Sequence, residues 1–529
     1  MTSLETGLPQ SDILCIDLLH LSQTSAAEEP RLLYLQMALR FAQIIASGTL
    51  KAGQRLPSVR DSAVQNGVSV ATVVQALRYL EERGLVQPRP KSGYFVTAAS
   101  HAKAADLVRK IKQQPGQIKD CETSSLVAGT VATIASFAGY SPIDKDFFDA
   151  DRIRVALSRA TRIQRNSLTQ YTSDSGTLAL RNAVALRALH LGCALQAQDI
   201  VITAGCIQGI GMCLQAVTQP GDLVAVESPT FFGFLDLLAS LNLKVLALPT
   251  DARRGVSLSA LQLALDTQPI KVVLLVPTLS NPLGSIMPLT QKRTLARMMA
   301  QYKVPLIEDV VFNDLLATDS RRRAVKAYDT EGWVMTCGSF SKTVSPGIRL
   351  GWVQAGRWSQ AIATLKRVQG TSTNVVLEYA LADLLTQGNY EAHLRRLCSL
   401  MKQRLGHARR VILASFPYGT RVADPPAGYT LWVELPAGMD SNVLFSRCKA
   451  IGIIVGPGQL FCASQRYQHC LRLSFSGAWG LVEQAALAEV GRLACLLGNR
   501  SDAPTTVSPP NDSQMNLIRM NQVSAHDLW

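Results

Sequence analysis

The chain has 529 residues, 47% of them hydrophobic and 17% charged, and its 53 Lys and Arg against 39 Asp and Glu leave a formal charge of +14. That length exceeds one ordinary domain and that composition is too apolar for global disorder, so two or more packed domains are expected. Eleven dispersed cysteines without a CxxC pair argue against a disulfide framework or a zinc site and for a reducing compartment. No apolar run reaches the length of a membrane span, and the first basic residue is Arg31, unlike a secretory leader. A soluble, cytoplasmic protein with no membrane partner and no metal site is expected.

Residues 1–30 carry little periodicity. From Leu32 to Ile45, Leu33, Leu35, Met37, Ala38, Phe41, Ile44 and Ile45 recur at helical spacing, and Ser47-Gly48 ends the run. In Leu56-Pro57-Ser58-Val59-Arg60-Asp61, Ser58 is placed to cap a second helix, with Asp61 as an approximate capping box. Asn66-Gly67 makes a turn, Ser69 caps a third helix from Val70 to about Arg83, and Gly84 stops it. Leu85-Val86 and Tyr94-Phe95-Val96 read as short strands flanking the basic loop Gln87-Pro88-Arg89-Pro90-Lys91-Ser92-Gly93. Across 31–97, nine basic residues stand against three acids, a local balance of +6, the electrostatic footprint of a phosphate-backbone reader.

This segment, LPSVRDSAVQNGVSVATVVQALRYLEERGLVQPRPKSGYFV, closely resembles the winged helix-turn-helix DNA-binding domain of the GntR family. The resemblance implies that the third helix enters the major groove of double-stranded DNA and the hairpin loop approaches the minor groove. It assigns Arg60, Ser69, Thr72, Arg89, Lys91 and Gly93 to phosphate or groove contacts and Gln75 to a base. Many relatives carry arginine just after the serine, where this chain has Val70 and Ala71, so few base contacts are expected. Residues 98–125, rich in Ala, Lys and Gln and broken at Pro115-Gly116, have linker composition.

The long remainder, 126–498, alternates short, wholly apolar runs with helical segments, which reads as a mainly parallel sheet in an α/β domain. Ligands of such sheets sit beyond the carboxyl ends of the strands. Ile200-Val201-Ile202-Thr203 leads through Ala204-Gly205 into a helix starting at Cys206 and Ile207, whose backbone N–H groups form an anion site. Another apolar strand runs into Glu227-Ser228-Pro229-Thr230-Phe231. Val272-Val273-Leu274-Leu275-Val276-Pro277 leads to Asn281-Pro282-Leu283-Gly284, and Val304-Pro305-Leu306-Ile307 leads to Glu308-Asp309. Ser339-Phe340-Ser341-Lys342 is followed by Arg349 in Gly-x-Arg-x-Gly, a set suited to a phosphorylated aldehyde: the amine forms an imine, and the hydroxyls and guanidinium grip phosphate. Asn281, Asp309 and Lys342 are thus expected on one rim. Leu471-Arg472-Leu473-Ser474 offers an arginine fit for a carboxylate, and by itself reads equally as a surface strand. Residues 499–529 have the composition of a disordered tail.

These motifs resemble a class I aminotransferase domain of fold type I, a family that binds pyridoxal 5'-phosphate (PLP). The resemblance implies that Lys342 joins the cofactor as an imine and that Asp309 keeps the pyridine nitrogen protonated. It also places Asn281 on the ring hydroxyl, Phe231 on the ring face, and Gly205, Cys206, Ile207, Ser339, Ser341 and Arg349 around the phosphate. Tyr171 would reach the phosphate from a neighbouring subunit of a homodimer, and Arg472 would take the carboxylate of an amino acid. Phe231 stands where the family usually has tyrosine and can still stack on the ring without its hydroxyl. Phe312 stands where active members often have a tyrosine on the ring's phenolic oxygen, so its lost hydroxyl alters how the imine titrates. Together the resemblances identify the chain with the MocR type of GntR regulators, a DNA reader fused to an aminotransferase-like sensor of PLP and of an amino acid or amine. The intact set Asn281, Asp309, Lys342, Arg349 and Arg472 keeps open a working aminotransferase with a secondary DNA module. A third reading is a dimerisation scaffold that has lost its cofactor.

Overall fold

The computed structural model describes residues 29–66, 68–89, 93–98, 104, 133–139, 142, 144–170, 173–316, 319–370, 372–387, 389–464 and 466–498. The chain falls into two compact units that divide between Asp120 and Cys121. The stretch 105–132 and the tail 499–529 lie outside the described residues.

In the amino-terminal unit, α1 (Glu29–Ala46), α2 (Val59–Asn66) and α3 (Val70–Glu82) precede an antiparallel hairpin of β1 (Val86–Arg89) and β2 (Gly93–Val96). Ser58 and Asp61 cap α2 reciprocally: the Asp61 N–H donates to Ser58 Oγ at 3.1 Å and the Ser58 hydroxyl to Asp61 Oδ2 at 2.6 Å. Ser69 accepts from the Thr72 N–H at 3.1 Å and starts α3. Helical spacing then gathers Val73, Ala76, Leu77 and Leu80 on one face, packed with Met37, Phe41 and Ile45 of α1. At the far end Gly84 adopts φ +66°, a left-handed turn that lets the Leu85 N–H reach Leu80 O at 2.9 Å.

Three details differ from the sequence reading. Helix α1 begins at Glu29 rather than Leu32. Strand β1 runs on through Pro88 and Arg89, because its pairing with β2 is made by backbone and needs no apolar side chain. Ala104 is fully buried in the same core, so the unit draws on a residue beyond 97.

The first described strand of the carboxy-terminal unit is β3 (Ala135–Ser136). Its large sheet comprises β4 (Ile200–Thr203), β5 (Leu223–Ser228), β6 (Lys244–Asp251), β7 (Gly255–Val256), β8 (Ile270–Leu275), β9 (Leu306–Asp309), β10 (Val334–Ser339) and β11 (Gly351–Gln354). Their order across the sheet is β4-β11-β10-β9-β8-β5-β6-β7. The pairs β5–β6, β5–β8, β8–β9 and β9–β10 are parallel, whereas β11 runs antiparallel to both β10 and β4. Strands β4, β5, β8, β9 and β10 therefore all end on one rim, and β11 starts there. Val272, Leu274, Ile307 and Met335 pack against Ile210, Cys213 and Leu214 of the covering helix Cys206–Val217, the two-sided burial that apolar strands require.

A smaller antiparallel sheet, in the order β12-β13-β16-β15, joins β12 (Arg421–Val422), β13 (Thr430–Glu434), β15 (Gly456–Pro457) and β16 (Cys470–Ser474). It has its own core, where Leu431, Val433, Leu471 and Leu473 meet Leu487 and Val490. Beside it, β14 (Ile453–Ile454) pairs in parallel with β3. No helix among the described residues is long and apolar enough to cross a membrane.

Candidate functional site

The rim of the large sheet carries a cavity of about 110 Å³. Of the residues singled out from sequence, Cys206, Ile207, Phe231, Asn281, Asp309, Ser339, Ser341, Lys342 and Arg349 all line it, as does Phe312. A wider, open groove of about 610 Å³ passes Asp146, Arg152 and Arg396, but its charged walls are solvated, whereas the rim cavity gathers buried polar groups on an apolar lining.

One end of the cavity is built for an anion. Gly205 takes φ +94°, and a Cβ there would lie 2.9 Å from Arg349 Nη2, so glycine lets the guanidinium stand over the start of the helix Cys206–Val217. Arg349 itself has φ +52°, an uncommon conformation for a residue with a side chain. Its Nη1 reaches Ser341 Oγ at 3.4 Å. Ser339 turns inward: its hydroxyl donates to Leu350 O at 3.0 Å and accepts from the Ser341 N–H at 3.1 Å. It shapes the turn that leaves Ser341 and Arg349 facing the helix amides. Gly351 is equally constrained, since a Cβ would fall 2.6 Å from Gly205 C and 2.7 Å from Gly338 O.

At the other end, Asp309 is buried, and its Oδ1 accepts from the Val311 N–H at 2.9 Å and the Cys206 thiol at 3.3 Å. Burial pushes this carboxyl up to about 6, against those two donors and Lys342. Burial also pushes the Lys342 amine down to about 8, opposed by Asp309 and reinforced by Arg349 and Arg472. Roughly a tenth of the amine is then neutral and nucleophilic at pH 7. Asn281 Oδ1 is buried and meets no donor among the described residues, a deficit that a bound polar group would offset.

The sequence reading passed over Glu227, which is buried at the end of β5, accepts from the Val276 N–H at 3.2 Å, and is pushed up to about 8 chiefly by burial. Its signal was an acid inside an apolar run. Arg472 was anticipated but is not on the cavity wall. It lies on β16, 1% exposed, with Nη1 donating to Gly139 O at 2.7 Å and Nη2 to Ala138 O at 2.6 Å.

In the amino-terminal unit Arg60, Ser69, Gln75 and Arg89 are exposed and Thr72 is half-buried. The Ser69 and Thr72 hydroxyls lie 2.8 Å apart, and the Arg89 guanidinium lies 4.3 Å from the centre of the Phe95 ring. Gly93 has φ +97°, with Arg55 Nε 3.3 Å from where a Cβ would be. Arg55 thus adds a cation beside the hairpin that the motif reading did not assign. Lys91 and Tyr171 lie outside the described residues.

The donor set fits a phosphorylated pyridine aldehyde. The cavity lining brings together the Arg349 guanidinium, the start of the helix Cys206–Val217, the Asp309 carboxyl, the unpartnered Oδ1 of Asn281 and the Lys342 amine of lowered basicity.

Residues 144–486 match the family described as aminotransferase class I and II, and residues 33–96 match the bacterial regulatory proteins, gntR family. The chain is 34% identical over 461 residues to the uncharacterized HTH-type transcriptional regulator YdcR of Escherichia coli (strain K12). It is 33% identical over 460 residues to YjiR of that strain, described in the same words. Each alignment covers 87% of this chain and 98% of the relative. Among solved structures it is similar to a kynurenine aminotransferase of Pyrococcus horikoshii in complex with PMP, with a TM-score of 0.65 and 26% identity over 75% of this chain and 97% of that one.

Proposed function

The chain belongs to the aminotransferase class I and II family and carries a gntR-family domain ahead of it; from this premise we propose a PLP-dependent, DNA-binding transcriptional regulator that responds to PLP and to an amino acid or amine. The observation that carries the reading is the convergence of Lys342, Asp309 and the unpartnered Asn281 on one cavity, in a chain that also presents Arg60, Gln75 and Arg89 to solvent on a winged helix-turn-helix. Both parts are shared with relatives named as transcriptional regulators. The domains proposed are a reader at 31–97, a joining stretch at 98–125, the aminotransferase-like sensor at 126–498 and a tail at 499–529, in a cytoplasmic protein.

PLP, when bound, supplies an electron-accepting ring tied to an aldehyde. Lys342 would supply the amine that holds the aldehyde, and its lowered basicity leaves part of it neutral and nucleophilic at neutral pH. Asp309, with Oδ1 already taken by two donors, would turn its remaining oxygen to the ring nitrogen. Asn281 would meet the ring hydroxyl, Phe231 would flank the ring, and Arg349, Ser341 and the amides at 205–207 would hold the phosphate. Differential binding of two sensor states, one with ligand and one without, is the physical requirement for control of the reader.

A homodimer is part of the proposal. Val155, Ile163, Leu168, Leu178, Leu186 and Leu189 are each more than half exposed, on or beside segments that pack around the helix Val375–Thr386. Apolar side chains in that number mark a face to be covered, and a second copy would bring Tyr171 to the site.

A second reading, a working aminotransferase, draws on the intact set Asn281, Asp309, Lys342, Arg349 and Arg472; Phe231 and Phe312 weigh against it. PLP is expected to give the chain an absorbance band near the visible edge that Lys342→Ala abolishes. Promoter fragments co-purified with the protein are expected to change when PLP is withheld. Sustained transamination at an ordinary enzyme rate, unaffected by deleting residues 1–97, would overturn the regulator.

A further inference from the structure

We propose that Arg472 is a latch held closed by the chain's own backbone: the carbonyls of Ala138 and Gly139 occupy the guanidinium face that a ligand carboxylate needs, and capture of that carboxylate releases the stretch around them. The inference rests on the sensor reading above and names how that site is regulated.

Arg472 sits in the middle of the small sheet, opposite Trp432 of β13 and Gly456 of β15. Its side is closed, because a Cβ at Gly456 would lie 3.6 Å from Nε, and Nε is buried without a partner. The outward donors, Nη1 and Nη2, go to the Gly139 and Ala138 carbonyls at 2.7 and 2.6 Å. With 1% of the residue exposed, an incoming carboxylate meets these two residues before it meets the cation.

The closed arrangement gives Nη1 and Nη2 neutral acceptors but leaves Nε without one and the charge without a counter-ion. Among the described residues no carboxylate pairs with Arg472, whose guanidinium lies 5.2 Å from the centre of the Phe461 ring. Neutral carbonyls are poorer acceptors for a guanidinium than a carboxylate, whose charge-assisted bonds are roughly twice as strong. Exchange of one for the other is therefore favourable once a ligand is tethered nearby.

The covering stretch is anchored up to Phe137, which is 2% exposed in the small-sheet core, and is held beyond it mainly through Arg472. The Ile134 N–H donates to Gly452 O at 2.8 Å, the Phe137 N–H to Ile454 O at 2.7 Å, and the Ser474 N–H to Phe137 O at 2.8 Å. Beyond Phe137, the hydrogen bonds of Ala138 and Gly139 among the described residues are the two from Arg472. This is also the first described stretch of the carboxy-terminal unit along the chain.

The test compares two probes on the PLP-free full-length chain: N-(5'-phosphopyridoxyl)-L-alanine and N-(5'-phosphopyridoxyl)ethylamine. They share ring and phosphate and differ by the carboxylate. Binding is followed by probe fluorescence, and backbone hydrogen exchange is read at Phe137 and Ser474. Only the alanine probe is expected to speed exchange there, by tenfold or more, and Arg472→Leu is expected to give the fast rate without either probe. If both probes bind and exchange at Phe137 and Ser474 is unchanged or slowed alike, the latch is wrong while the sensor stands. If neither binds, the sensor reading fails and the latch with it. The wild-type comparison remains decisive even where Arg472→Leu does not fold.

Discussion

At neutral pH Lys342 and Asp309 are both charged in a place that disfavours charge. Folding lowers the Lys342 amine from 10.5 to about 8, so between those values the unfolded chain holds a proton that the folded chain lacks. Stability of the PLP-free protein should therefore rise with pH across that window. Lys342→Met is expected to flatten the rise, by on the order of 2 kcal/mol, in thermal unfolding followed at pH 7.5 and pH 10. Asp309 works in the opposite sense. Its carboxyl is raised from 3.8 to about 6, and the stability it lends below pH 4 is lost as pH climbs through 6. On the reader, Arg60 is exposed on α2. Arg60→Ala is expected to weaken duplex binding alike for all sequences and to reduce the slope of log affinity against log salt by about one; an unchanged slope would remove Arg60 from the phosphate contacts.

Among elements, the contact between β11 and the start of the helix Cys206–Val217 governs the anion end. A methyl group at 351 would overlap Gly205 and Gly338, so Gly351→Ala is expected to destabilise the sensor by about 1–3 kcal/mol and to weaken the PLP absorbance band at equal PLP concentration. The elements legible in the sequence were those whose physics is local. Ser58, Asp61 and Ser69 cap helices within one turn of themselves, and β8 and β9 are apolar because both faces are buried. Asn281, Asp309 and Lys342 were legible as residues at or past strand ends. What escaped were relations between distant segments. The thiol of Cys206 on Asp309, the carbonyls at 138 and 139 on Arg472, and the close approach of Gly351 to Gly205 leave no periodicity in the chain. Glu227 was missed for another reason: its neighbours are those of a buried strand, and only the three-dimensional position gives the acid a setting.

For the whole molecule, the exposed Leu178 and Leu186 make oligomeric state a direct test. Sedimentation is expected to give a particle of twice the chain mass, and Leu178→Glu combined with Leu186→Glu to give the chain mass; a wild-type monomer at micromolar concentration would remove Tyr171 from the site. The two separate cores, one beneath the large sheet and one beneath the small, have a further consequence. The residues proposed to grip the vitamin line the rim of the large sheet, whereas Arg472 lies in the small one. Exchanging the block from Arg421 to Gly498 with that of a relative should transplant effector preference and leave vitamin affinity as it was, so the molecule divides along a seam where new sensors can be bred.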